Sequence, residues 1–333
     1  MRKITGIYSL RKIHNEVFRD VVYEWEDDIS EIENANIIRC SKNTYELLKS
    51  NSFKKLIYHV LKKRKKKDFK NKDDIKIGFV VVYSDFEYIV NKSCIPVFLD
   101  IGLGQVDEIC HRMGDNPFVV TILDIFNVIK KKYSTSKCIY MPLMISSRWA
   151  VKSSMNRKID LVQPGRKNDL LHSYAIRFVN EYPEYEYVYS GPDGTTGELK
   201  YYSTKERVIE NVLTREQYIN LLSESKICIL SSPGIDNCKS WIKGIDFPTP
   251  RFYEAPILHC NVIARYTENE EFSLQKINSI CKSIKTYEDF KSIALRYLRN
   301  KTFVSKDIIQ EYNDMHTVKP WVEEFLKKLD GVL

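Results

Sequence analysis

The chain has 333 residues, 43% of them apolar and 12% aromatic, with only 12 glycines and 11 prolines. That excludes the disordered and fibrous classes and is enough chain for two hydrophobic cores of roughly 150 residues each. The net charge is +8, yet Lys54 to Lys72 alone carries ten Lys/Arg against one Asp, so the remainder sums to about zero and the basicity is one local feature.

Met1 to Tyr8 lacks a long apolar stretch before a small-residue cleavage site, and no segment reaches the ~18 uninterrupted apolar residues of a membrane span. The eight cysteines form no C-x-x-C pair, and several sit in apolar runs such as Lys226-Ile227-Cys228-Ile229-Leu230. They read as reduced core residues, which places the chain in the cytoplasm.

In chain order, β-rich runs predict strands over Ile4–Ser9, Val21–Trp25, Ile77–Tyr83, Ile95–Asp100, Phe118–Leu123 and Cys138–Met141, with a helix from Asn43 to about Lys66. Periodicity lapses from Pro142 to about Arg157, and the domain boundary is placed there. A cleaner alternation follows: strand Lys158–Gln163, helix Asp169–Tyr182, strand Tyr185–Ser190, helix Thr214–Ser225 and strand Lys226–Ser231. After these come helix Pro250–Leu258, strand Asn261–Arg265, and helices near Tyr287–Asn300, Lys306–Asp314 and Lys319–Leu329. Thr214 with Gln217 forms a capping box. The alternation predicts an α/β protein with parallel sheets: an N-terminal domain over residues 1–145, a second over 158–315, and a last helix over 316–333 packing back on the first.

In such sheets ligands lie beyond the carboxyl ends of the strands, so the residues after each strand are the informative ones. Strand Lys158–Gln163 runs into Pro164-Gly165-Arg166-Lys167, where a glycine permits close approach and Arg166 and Lys167 are placed for a diphosphate. The alternative is a solvated turn. Asp246-Phe247-Pro248-Thr249-Pro250-Arg251-Phe252-Tyr253-Glu254-Ala255 reads as a helix start, with Thr249 as N-cap, Pro250 in the first turn, and Glu254 able to accept two hydrogen bonds from a sugar diol.

Three stretches in this order, Gly165-Arg166, Leu221 to Ile229 and Thr249 to Ala255, resemble the glycosyltransferases of GT-B architecture, in particular the bacterial spore-maturation-type (group 1) branch. The resemblance covers about residues 140 to 275 and implies two Rossmann-like domains facing across a cleft. It also implies a nucleotide-sugar donor held mainly by the C-terminal domain, Arg251 at its diphosphate and Glu254 at its ribose. Two positions depart from the pattern: His259 stands where the family usually has Gly, and Asp246 where many relatives have Glu.

The first domain is expected to bind the acceptor, a hydroxyl of a glycan or lipid-linked glycan. A carboxylate at a strand end suits the general base that an inverting transfer needs, and the candidates are Asp100, ahead of Asp85. No Asp-x-Asp motif occurs, and no metal or other cofactor is expected, basic groups and helix dipoles offsetting the leaving charge.

Phe53, Leu56, Ile57, Val60 and Leu61 form one helical stripe with a basic tail in Lys54–Lys72, which suits either a peripheral hold on an anionic membrane or a core-packed helix with a solvated charge run. A nucleotide-sugar epimerase or hydrolase on the same fold is the enzymatic alternative. Nucleic-acid binding through the basic run is not expected, because no RNA-binding signature or aromatic stacking series accompanies it.

Overall fold

The computed structural model describes residues 2–14, 16–49, 74–90, 92–150, 157–192, 199–206, 209, 214–235, 242, 244–300 and 305–333. The basic run Lys54–Lys72 and the apolar stripe within it lie outside the described residues, as does most of the helix expected from Asn43; its described part is Lys42–Lys49.

The chain divides into two compact units, residues 1–146 with 317–333, and residues 147–316. The first is built on a six-stranded sheet: β1 (Lys3–Ser9), β2 (Asn36–Arg39), β3 (Asp74–Val80), β4 (Ile95–Phe98), β5 (Phe118–Val120) and β6 (Cys138–Tyr140), in the order β2-β1-β3-β4-β5-β6. Every pairing is parallel. Ile4, Ile7, Ile77, Phe79, Val97 and Phe98 are buried, as near-continuous apolar strands must be in a parallel sheet covered on both faces. The last helix, Val318–Asp330, belongs to this unit; its Trp321 indole donates to the Pro142 carbonyl at 2.8 Å, and Phe325 and Leu329 are buried.

The segment Val21–Trp25, read from sequence as a strand, is helical, part of the helix Asp20–Glu33. Its β-branched and aromatic residues suit a strand over five positions, but Val21, Val22, Trp25 and Ile29 fall on one face of a 3.6-residue period and are buried together. The helix closes at Asn34, whose left-handed backbone (φ 54°) lets its N–H return to Ser30 O.

The second unit carries β7 (Ile159–Gln163), β8 (Tyr187–Pro192), β9 (Leu199–Ser203), β10 (Ser225–Ser231) and β11 (Asn261–Arg265), in the order β11-β10-β7-β8-β9. All pairs are parallel except β8 with β9. The sequence reading contains no counterpart of β9, an edge hairpin arm. Leu161, Leu171, Phe178, Tyr187, Ile229, Ile263 and Phe290 form the core between sheet and helices. The helix Arg215–Ser223 starts with the reciprocal box read from sequence: Gln217 N–H donates to Thr214 Oγ1 at 3.2 Å and Thr214 N–H to Gln217 Oε1 at 3.0 Å.

Candidate donor site at the switch point of the second sheet

In the second sheet β7 is flanked by β8 on one side and β10 on the other, so the strand order reverses between β7 and β10. In open α/β sheets such a reversal is where the loops leaving the two strands diverge and ligands bind. Both loops carry sequence-marked residues: Pro164-Gly165-Arg166-Lys167 after β7, and Ser232-Pro233-Gly234 after β10.

Gly165 has φ +68°, and a Cβ there would stand 3.2 Å from Arg251 Nη1. Its peptide is held on both sides: its N–H donates to the Tyr201 hydroxyl at 3.2 Å, and its carbonyl accepts from Ser190 Oγ. Arg251, at the start of the short helix Arg251–Ile257, donates from Nη1 to the Pro164 carbonyl at 2.7 Å. Arg251, which the resemblance puts at a diphosphate, therefore meets the Pro164-Gly165 turn that leads into Arg166 and Lys167. Arg166 and Lys167 are half-buried on the same turn, with the Lys167 ammonium 5.6 Å from the centre of the Tyr189 ring.

Glu254 is 2% exposed, and protein groups hold both its oxygens: Arg215 Nη2 is 2.7 Å from Oε1, and the Tyr218 hydroxyl donates to Oε2 at 2.9 Å. Each oxygen keeps a further lone pair for an incoming hydroxyl. Burial pushes the Tyr218 phenol well above its ordinary pKa, and the Glu254 charge adds to the rise. Arg215 is absent from the residues the sequence singles out, although it carries a signal: a cation in a first turn opposes the helix dipole and calls for a partner.

Asp246 is buried and occupied. Its Oδ1 accepts from Gly234 N at 2.7 Å and Phe247 N at 3.1 Å, and its Oδ2 from Ser232 Oγ at 2.6 Å and Thr267 N at 2.8 Å. A carboxylate saturated in this way organises the loop after β10 and keeps no lone pair for a ligand. The turn also needs Gly234, because a Cβ there would collide with the Ile245 carbonyl and with Asp246.

Thr249 does not cap with its side chain. The helix starts at Arg251, Phe252 N–H donates to the Thr249 carbonyl at 3.0 Å, and Pro250 takes the helical conformation (φ −49°) as the cap residue. Thr249 Oγ1 is buried with no hydrogen-bond partner among the described residues, an uncommon state for a buried hydroxyl outside a ligand site. At the far end of the helix, His259 has φ +57°. Its N–H donates to Pro256 O at 2.8 Å, and the next N–H, Cys260, reaches back to Ala255 O at 2.9 Å. His259 thus occupies the left-handed position that ends a helix and favours glycine, which gives the family's Gly a backbone reason.

Of the acids expected in the first unit, Asp85 is fully buried. Its Oδ2 accepts from Arg19 Nη1 at 2.8 Å and from Val81 and Val82 N–H at 3.2 Å each, and its Oδ1 from the Tyr45 hydroxyl at 3.2 Å. The candidate base Asp85 is therefore corrected to a structural carboxylate that fixes the turn after β3. A group this fully enclosed and paired offers no oxygen to a substrate hydroxyl. Asp100 is half-buried, just past the end of β4 and ahead of Gly102, whose N–H donates to Gln105 Oε1 at 2.9 Å.

Among the described residues no group of three or more His, Cys, Asp or Glu is arranged to hold a metal ion, and no helix is long and apolar enough to cross a membrane. No family profile and no curated protein matches the chain. Among solved structures it is similar to the pneumococcal O-GlcNAc transferase GtfA, determined with UDP and GlcNAc, at TM-score 0.50 and 12% identity over 83% of this chain and 59% of that one. It is also similar to TarM, at TM-score 0.52 and 12% identity over 78% of this chain and 55% of that one. The chain thus spans less than two thirds of the length of either. What the likeness shows is the fold: two α/β units built on parallel sheets, of the GT-B type.

Proposed function

We infer that the chain is a glycosyltransferase that moves a sugar from a nucleotide-sugar donor to a hydroxyl of a glycan or lipid-linked glycan. The observation that carries this reading is the convergence at the β7/β10 switch point of the Gly165 turn, the Arg251 guanidinium and the buried Glu254 pair. An arginine beside a glycine turn suits the two phosphates of a nucleoside diphosphate, and a carboxylate held in one orientation suits a ribose diol. That GtfA, a structure of the same fold, was determined with UDP and GlcNAc supports this class of donor.

In the transfer, the bond from the anomeric carbon to the diphosphate oxygen breaks, the acceptor oxygen bonds to that carbon, and a base takes the acceptor's proton. Asp100 is the carboxylate assigned to that proton in an inverting reaction. Arg166, Lys167 and Arg251 offset the charge on the leaving diphosphate, so turnover should persist in chelator; loss with chelator, restored by magnesium or manganese, would refute that part. The Lys54–Lys72 run holds the protein against an anionic membrane, at the cytoplasmic face.

The test is a thermal-shift panel of UDP, GDP, ADP, CDP and TDP with their sugars. A ligand at a hundred times its Kd stabilises by about 2.7 kcal/mol, so selective stabilisation by one nucleotide names the donor class. No shift with any of them would defeat the reading.

A further inference from the structure

We propose that Tyr201, on the edge strand β9, is a ligand of the donor diphosphate, donating its hydroxyl proton to a phosphate oxygen at the Gly165 turn. The inference rests on the donor-site reading above. Tyr201 is 8% exposed, and its hydroxyl accepts the Gly165 N–H at 3.2 Å. It thus sits on the backbone donor that a glycine turn at a strand end ordinarily turns toward an anion. The Arg251 guanidinium acts on the same phenol electrostatically while its Nη1 binds the neighbouring Pro164 carbonyl.

A phenol is both acceptor and donor. The acceptor side is used by Gly165, and among the described residues no acceptor takes the proton. An O–H brought by two strands to a glycine turn and an arginine, with its proton unassigned, is a donor prepared for an anionic oxygen. Burial raises the Tyr201 pKa against the opposing pull of the Gly165 N–H and the Arg251 charge, so the hydroxyl keeps its proton at neutral pH. Tyr201 therefore contributes a hydrogen bond to the leaving diphosphate, and no proton is transferred. Its partner Ser190, donating to the Gly165 carbonyl from β8, fixes the other face of the peptide and keeps the phenol and the turn in register.

Calorimetric titration of the full chain with UDP and with uridine, for the parent and Tyr201→Phe, tests this. The variant should lose about tenfold in affinity for UDP, the order expected for one hydrogen bond to a charged group, and keep its affinity for uridine. Equal UDP affinity in a folded Tyr201→Phe protein overturns the proposal. So does parallel loss of UDP and uridine, which would make the ring a scaffold for the whole site. If the parent binds neither UDP nor any other nucleoside diphosphate, the donor-site reading itself fails and this inference falls with it. Should Tyr201→Phe not fold, the Gly165 amide resonance of the parent serves instead: it should shift on adding UDP and stay in place on adding uridine, and an unmoved resonance at saturating UDP counts against the proposal.

Discussion

Arg215 and Glu254 form a buried ion pair, Nη2 to Oε1 2.7 Å, with the Tyr218 hydroxyl closing on the other carboxylate oxygen. The pair ties the first turn of the helix Arg215–Ser223 to the helix that carries Arg251. Removing the cation leaves a carboxylate in a site it cannot leave for water.

Arg215→Ala is accordingly expected to destabilise the protein by about 3 kcal/mol, the usual cost of orphaning a buried charge. Arg215→Ala with Glu254→Gln should recover part of that loss, because the second change removes the unpaired charge. Urea denaturation of the parent, the two single variants and the double variant checks both; additive losses would mean that the two groups are energetically independent.

How much of this arrangement the sequence discloses varies with the range of the forces involved. β11 is legible to the residue, since Asn261–Arg265 is a short β-branched run between a helix end and a polar turn, and the Thr214/Gln217 box is local chemistry with a fixed spacing. Val21–Trp25 misleads because five residues are too few to separate period 2 from period 3.6. β9 is missed because an edge strand reading Leu-Lys-Tyr-Tyr-Ser is polar and short. The partner of Glu254, the enclosure of Asp85 by Arg19 and the Tyr201–Gly165 contact depend on which strand ends become neighbours, and no local pattern encodes that.

His259→Gly is expected to stabilise the protein by about 1 kcal/mol, because a non-glycine residue in the left-handed region carries a steric cost of about 1–2 kcal/mol and glycine's greater unfolded-state freedom returns part of the gain. The backbone bonds that end the helix, Cys260 N to Ala255 O among them, are unaffected by the change. A rise in the midpoint of chemical denaturation with unchanged slope is the readout. A fall would mean that the imidazole's own contacts outweigh the strain.

Glu26 supplies a pH dependence. Burial pushes its carboxyl up to about 7, against the lowering effects of the Ser9 hydroxyl, which donates to Oε2 at 2.5 Å, and of Arg11; Asp27 raises it further. In the unfolded chain the group ionises near its ordinary value of about 4.3. Between that value and about 7 the native state holds the proton more tightly than the unfolded state, so stability falls as pH rises through this window and levels off above it. The loss is on the order of 4 kcal/mol at about 1.4 kcal/mol per pH unit. Glu26→Gln should flatten the stability profile between pH 4.5 and 7 and be the more stable protein at pH 8; two superimposable profiles would show that Glu26 is not the group responsible.

The polybasic run accounts for the whole net charge, with ten cations against one acid between Lys54 and Lys72. Near an anionic bilayer each basic residue contributes about 1 kcal/mol, so changing Lys62, Lys63, Arg64, Lys65, Lys66 and Lys67 to Gln should reduce binding to phosphatidylserine vesicles steeply. Nucleotide affinity, which the proposed function assigns to Arg251 and the Gly165 turn, should stay unchanged. Parent binding should also fall as salt rises, because the attraction decays over a Debye length of about 8 Å at physiological ionic strength. The apolar stripe Phe53, Leu56, Ile57, Val60 and Leu61 separates two kinds of contact: polar substitution there would unfold a helix packed into the domain, whereas a membrane-facing helix would tolerate it and lose vesicle binding. If the Gln variant binds anionic vesicles as the parent does, the run is a solvated surface and the membrane placement fails.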